Sequence, residues 1–272
     1  MTDVLVTEQV GEVRVLTLNR PRSRNALSGD LVSALYRALV ALDTDDTVHA
    51  AVLTGADPAF CAGVDLKEAA RDGDRYFQRF HREDPIAQAA RVRKPLIGAI
   101  NGATFTGGLE LALGCDFLVA SERAVFADTH VRVGVLPGGG LTARLPQLVG
   151  PGWARRMSMT GEVVDAPLAA RIGLVTEMVP PGRLRARALE LAAAAAEVPP
   201  RDMLGLKEIY AEGASAVFGG ALAVEQRRSA AHATDFGELD RRRSAVTARN
   251  REQLNTPTTA PARRRDADGR AR

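Results

Sequence analysis

The chain has 272 residues, 46% of them apolar, enough to bury the core of one large domain or two small ones. Its formal net charge is +3, but residues 241–272 carry ten Arg against three acidic residues, so the preceding 240 residues are net −4 and offer no basic face for nucleic acid. No apolar run approaches the roughly 20 residues of a membrane span, and residues 1–11 mix charge with apolar side chains instead of forming a basic-then-apolar export signal.

The two cysteines, Cys61 and Cys115, form no metal-spaced pair, and His49, His81, His130 and His232 are scattered without ligand spacing. The expectation is a cytoplasmic globular enzyme with free thiols, no structural metal, and no nucleic-acid or membrane partner.

Short β-branched runs at 13–18, 48–54, 96–100 and 117–120 are each followed by turn residues and then a helical pattern, which predicts an α/β fold. The first helix is expected to start at Ser28, whose hydroxyl can cap it, and to carry Leu31, Leu35, Leu39 and Leu42 on one face. Residues 181–198 are rich in alanine and leucine, and helical patterns dominate from there to about residue 252. The chain is therefore divided into an α/β body at 1–179, a helical region at 180–253 and a tail at 254–272. The tail combines proline, threonine and charge without periodicity and is expected to be disordered.

Two segments at predicted strand ends have the composition of a ligand site. Residues 59–68, AFCAGVDLKE, form a turn of small residues that lets a ligand approach the backbone. Residues 101–110, NGATFTGGLE, lead from a loop into an apolar helix. Amides at a helix start lack an intrahelical partner and point outward, so Gly107 can donate to an anionic oxygen with help from the helix dipole. Glu110 follows three residues later, which brings its carboxylate to the same face. The run Pro137-Gly138-Gly139-Gly140 lacks the spacing and acidic partner of a dinucleotide loop.

AFCAGVDLKE, followed by KPLIGAINGATFTGGLELALGCDFLVAS, resembles the two signature regions of the enoyl-CoA hydratase/isomerase (crotonase) family. The resemblance continues through 126–134, FADTHVRVG, and 136–140, LPGGG, then more loosely through 158–161 and 169–175, and covers essentially 4–252. It implies a crotonase-like spiral of ββα turns with a helical C-terminal region that assembles a homotrimer or a dimer of trimers. It implies an oxyanion hole made by the amides of Val64 and Gly107. It also assigns acyl-CoA binding to Arg24, Ala62, Gly63, Asp65, Leu66, Lys67 and Gly108, with coenzyme A part of the substrate and no separate cofactor. Residues 72–91 are expected to line the acyl pocket.

Glu110 matches one catalytic glutamate of the family's hydratases, whereas the second, twenty positions on, is replaced here by His130. Histidine can transfer protons with different charge and geometry; unperturbed, it titrates near about 6.5. Asp128 either orients His130 or caps a turn. The expected activity is addition of water to a 2-enoyl-CoA thioester. Double-bond isomerisation, thioester hydrolysis, decarboxylation, or acyl-CoA binding with weak catalysis are the alternatives on the same scaffold.

Overall fold

The computed structural model describes residues 3–255. The tail expected to be disordered lies outside the described residues, apart from 254 and 255, which complete the last helix.

Strands from alternate parts of the chain build two sheets. The larger has the order β1 (Leu5–Val10), β2 (Val13–Leu18), β3 (Ala50–Gly55), β5 (Leu96–Ile100), β7 (Phe117–Ser121) and β10 (Glu177–Val179). The smaller has the order β4 (Ala59–Cys61), β6 (Ala103–Phe105), β8 (Val125–Ala127) and β9 (Val164–Asp165). β1 and β2 form an antiparallel hairpin, and the later strands of the large sheet run parallel. Gly11, at φ 58°, makes the hairpin turn, a conformation glycine adopts without steric cost.

Each spiral turn sends one strand to the large sheet, the next to the small sheet, and then a helix outward. β3 and β4 lead to α2 (Leu66–Asp72), followed by α3 (Asp74–Arg82) and α4 (Pro85–Ala89). β5 and β6 lead to α5 (Gly107–Ala112), and β7 and β8 lead to α6 (His130–Val133). α7 (Leu141–Thr160), broken at Gly150, then precedes β9, and α8 (Ala166–Arg171) precedes β10.

The large sheet is covered on both faces, as expected of parallel strands. α1 (Gly29–Leu42) starts where predicted, with the Ser28 hydroxyl accepting from the Leu31 amide at 3.3 Å. Its Leu31, Leu35, Leu39 and Leu42 are buried in the same core as Leu16, Leu18 and Leu53. On the opposite face, Val15, Val52, Ile97 and Val119 pack with Leu184, Ala188, Ala192 and Ala196 of α9 (Leu184–Ala196). Alanines at intervals of four give that helix a shallow stripe that permits close approach. The first α-helix after residue 180 therefore closes the core of the body.

The remaining two helices behave differently. α10 (Pro200–Ala230) buries only Glu225, while α11 (Phe236–Asn255) folds back against α2 and α6. Among the described residues, no helix is long and apolar enough to cross a membrane, and no group of three metal-binding side chains could hold an ion. Cys61 and Cys115 are unpaired.

Candidate active site

β4 and β6 pair in parallel, so the segments leaving them run side by side. Two glycines permit this contact. At Gly63, with φ 91°, a Cβ would stand 2.2 Å from the Thr106 hydroxyl and 2.8 Å from the Phe105 carbonyl oxygen. At Gly108 a Cβ would stand 2.1 Å from the Cys61 carbonyl oxygen. Between these points Thr106 adopts φ 49° and ψ −118°, an uncommon conformation for a β-branched residue. It turns the chain into α5.

The amides of Val64 and Gly107 are thereby brought together: a Cβ on Gly107 would lie 3.6 Å from the Val64 nitrogen. Neither N–H has an acceptor in the hydrogen-bond network of the described residues. Gly107 opens α5, where the helix dipole adds positive potential.

The loop at 20–28 supports this arrangement through residues that the sequence reading missed. Asn25, fully buried at φ 56°, donates to the carbonyls of Ala56 at 2.8 Å and Ala59 at 2.6 Å, and accepts from the Arg20 amide at 2.8 Å. The Leu27 amide donates to the Gly63 carbonyl at 2.8 Å, and the Ala62 amide to the Arg24 carbonyl at 3.0 Å. The buried Tyr76 hydroxyl donates to the Leu27 carbonyl and accepts from the Asp65 amide at 3.3 Å. Asparagine's tolerance of positive φ was the one local signal, but partners more than 30 residues away left none.

Arg24, Ala62, Val64, Asp65, Leu66, Lys67 and His130 all line one cavity of about 860 Å³. Gly63, Gly107, Gly108 and Glu110 lie in its supporting structure and are not part of that lining. Asp65 has its own structural duties: its carboxylate caps α2 by accepting from the Glu68 amide and pairs with Arg20 at 3.0 Å. Lys67 and Arg24 are exposed. α11 adds Arg243 and Arg251 to the same lining, a contribution invisible without the fold. Of the segment at 72–91, Tyr76 serves the loop just described, whereas Ile86 comes within 3.8 Å of a Cβ placed on Gly107.

Glu110 and His130, 4% and 5% exposed, meet at 3.5 Å between Oε2 and Nε2. Glu110 Oε1 accepts from the amides of Gly138 at 3.2 Å and Gly139 at 2.8 Å, so the glycine run is a carboxylate cradle. Asp128 performs both duties considered for it. Its Oδ1 lies 2.7 Å from His130 Nδ1 and accepts the His130 backbone N–H at 3.1 Å. The ring is thus fixed with Nε2 toward Glu110.

Burial alone would depress the His130 pKa, but the Glu110 charge and the bond to Asp128 outweigh it and raise the pKa to about 10. The two carboxylates thus move it upward from its unperturbed value of about 6.5. Burial pushes the Asp128 carboxyl upward, yet His130 and a bond from Ser158 hold it below the ordinary aspartate value. The ring is oriented by Asp128, faces Glu110, and is biased toward its protonated form.

The model of the enoyl-CoA hydratase/isomerase family matches residues 8–245. The crystal structure of enoyl-CoA hydratase from Mycobacterium smegmatis is 47% identical, with a TM-score of 0.75, and the match covers 83% of this chain and 96% of that one. The 2,3-dehydroadipyl-CoA hydratase of Escherichia coli is 35% identical over 84% of this chain and 89% of its own length. The mitochondrial enoyl-CoA hydratase of Pongo abelii is 38% identical over 70% and 67%, respectively.

Proposed function

The chain belongs to the enoyl-CoA hydratase/isomerase family, and from that premise we propose that it adds water to a 2-enoyl-CoA thioester. The observation that carries this reading is the combination of two neighbouring amides without protein acceptors and the buried Glu110–His130–Asp128 array.

The thioester carbonyl oxygen sits between the amides of Val64 and Gly107. These donors stabilise the negative charge that develops when water attacks C3; loss of one such donor costs about 10²- to 10³-fold in rate. Glu110 takes the proton from the attacking water as the C–O bond forms. The electron pair of the double bond moves toward the carbonyl as an enolate. His130 then delivers its Nε2 proton to C2 and the carbonyl re-forms. Transfer of the proton from Glu110 to His130 resets both groups. Asp128 holds the imidazolium in place, and the cavity at 860 Å³ receives the coenzyme A moiety, with Arg24 and Lys67 facing its phosphates.

The proposal extends to a homotrimer, or a dimer of trimers, acting in the cytoplasm; imaging of the tagged protein in its host checks the location. A second reading, double-bond isomerisation, draws on the direct 3.5 Å approach of Glu110 to His130, because two groups exchanging one proton can also move it between carbons. A panel of short and medium 2-enoyl and 3-enoyl thioesters, with products identified by mass spectrometry, decides. Gain of one water from 2-enoyl substrates supports hydration. A shifted double bond at constant mass favours isomerisation, release of free coenzyme A favours hydrolysis, and binding without turnover favours a carrier role.

A further inference from the structure

α10 spans 31 residues, and its one buried residue is a glutamate. A buried carboxylate is costly unless its acceptors are satisfied, and Glu225 satisfies them on the loop that cradles Glu110. Its Oε1 accepts the Gly140 amide at 2.6 Å, and its Oε2 accepts the Thr142 amide at 2.6 Å and the Thr142 hydroxyl at 2.5 Å. Gly140 and Leu141 begin α7, so the carboxylate also meets the positive end of that helix.

One residue before this clamp, the Gly139 amide donates to Glu110 at 2.8 Å, and the Gly138 amide at 3.2 Å. The carbonyl of Gly139 is taken by Arg144 at 2.5 Å, which holds the peptide plane from its other side. α10 grips the loop again further back, where the Ser229 hydroxyl donates to the Leu136 carbonyl at 3.2 Å. The carboxylate of Glu225 thus lies one peptide unit beyond the amides that orient the carboxylate of Glu110.

We propose that Glu225 is a positioning residue for the reaction: it fixes the Gly138–Gly140 loop so that its amides hold Glu110 in the orientation needed to take a proton from water. The inference rests on the assignment of Glu110 as the base. Glu225 is not part of the cavity lining, and its carboxylate accepts from Gly140 and Thr142 rather than from Glu110 or His130. It acts through a backbone whose three consecutive glycines have no side chains of their own to stiffen it.

The test uses the full-length enzyme and the enoyl thioester that wild type turns over fastest. Glu225→Gln keeps the shape but turns one acceptor into a donor that opposes an N–H. It should lower kcat by about 10- to 100-fold, the scale of an ångström-sized misplacement, while KM stays within about twofold. In a Glu110→Gln background the same substitution should have no further effect, because its route is already cut. A structure of Glu225→Gln should show the Gly139 amide out of hydrogen-bond range of Glu110, a readout independent of turnover. If Glu225→Gln does not fold, Thr142→Val removes a single donor to the same carboxylate and should lower kcat by about threefold to tenfold at unchanged KM.

Unchanged kcat with an unmoved loop, or an equal loss in both backgrounds, overturns the positioning role. Glu110→Gln with wild-type turnover instead overturns the assignment of the base. The two failures are therefore distinguishable.

Discussion

His130, the proposed proton donor, is flanked by Glu110 and Asp128, which favour its protonated form at a pH where a free imidazole is largely neutral. With its folded pKa raised to about 10, above the unfolded value near about 6.5, the stabilisation it contributes is fully present below pH 6.5. It is lost as pH rises through the folded pKa. The difference in Tm between wild type and His130→Gln should therefore be largest at or below pH 6.5 and shrink toward pH 10. A constant difference across that range would count against the charged imidazolium. As the proton donor to C2, His130 should also place the high-pH limb of kcat nearer 10 than 6.5. His130→Gln should lower kcat by about 10²- to 10⁴-fold and remove that limb. At this scale Gly107 and Glu110 could be singled out from one local segment, and Asp128 from its place two residues before His130, whereas Val64 and His130 were singled out through the family resemblance. Asn25, Tyr76 and Glu225 were not, since their roles come from partners brought up by other elements.

The approach of β4 to α5 is the contact on which the paired amides depend. Gly108→Ala would drive a methyl group to within 2.1 Å of the Cys61 carbonyl, a backbone atom that cannot swing aside. It should destabilise the protein by about 1–3 kcal/mol or more, read as a drop in Tm. Gly107→Ala meets no atom closer than 3.6 Å and should fold with little loss; equal melting temperatures for both variants would refute this account of the packing. Four strands of the large sheet, β2, β3, β5 and β7, could be read from the sequence because each is a short, mostly apolar run, as buried parallel strands require; β1 and β10 were not read. The small sheet could not be read either. β4, β6 and β8 have three residues each, too few to display a period. α9 was recognised as a helix, but its packing against the sheet depends on three alanines and Leu184 meeting strands from distant parts of the chain.

The whole molecule leaves α10 with Ile209, Tyr210 and Val217 at 70–72% exposure, beside the less exposed Leu206 and Val224. Apolar side chains concentrated on one long helix favour burial in an assembly. We expect sedimentation of wild type at micromolar concentration to give a trimer or its dimer, and Tyr210→Asp with Val217→Asp to give a smaller species; a wild-type monomer would contradict the proposed assembly. The same helix carries Glu225 inward to the catalytic loop, while α11 closes over α2 and α6 and adds Arg243 and Arg251 to the cavity. The site is thus built by the spiral and completed by the helical end of the chain. The proposed function rests on the pair of amides together with the buried Glu110–His130 pair. A structure with a bound 2-enoyl-CoA, or a non-reactive acyl-CoA, tests it most directly. The thioester oxygen should lie about 2.7–3.1 Å from the nitrogens of both Val64 and Gly107, with C2 and C3 facing His130 and Glu110; a carbonyl oxygen bound away from those amides would contradict the account.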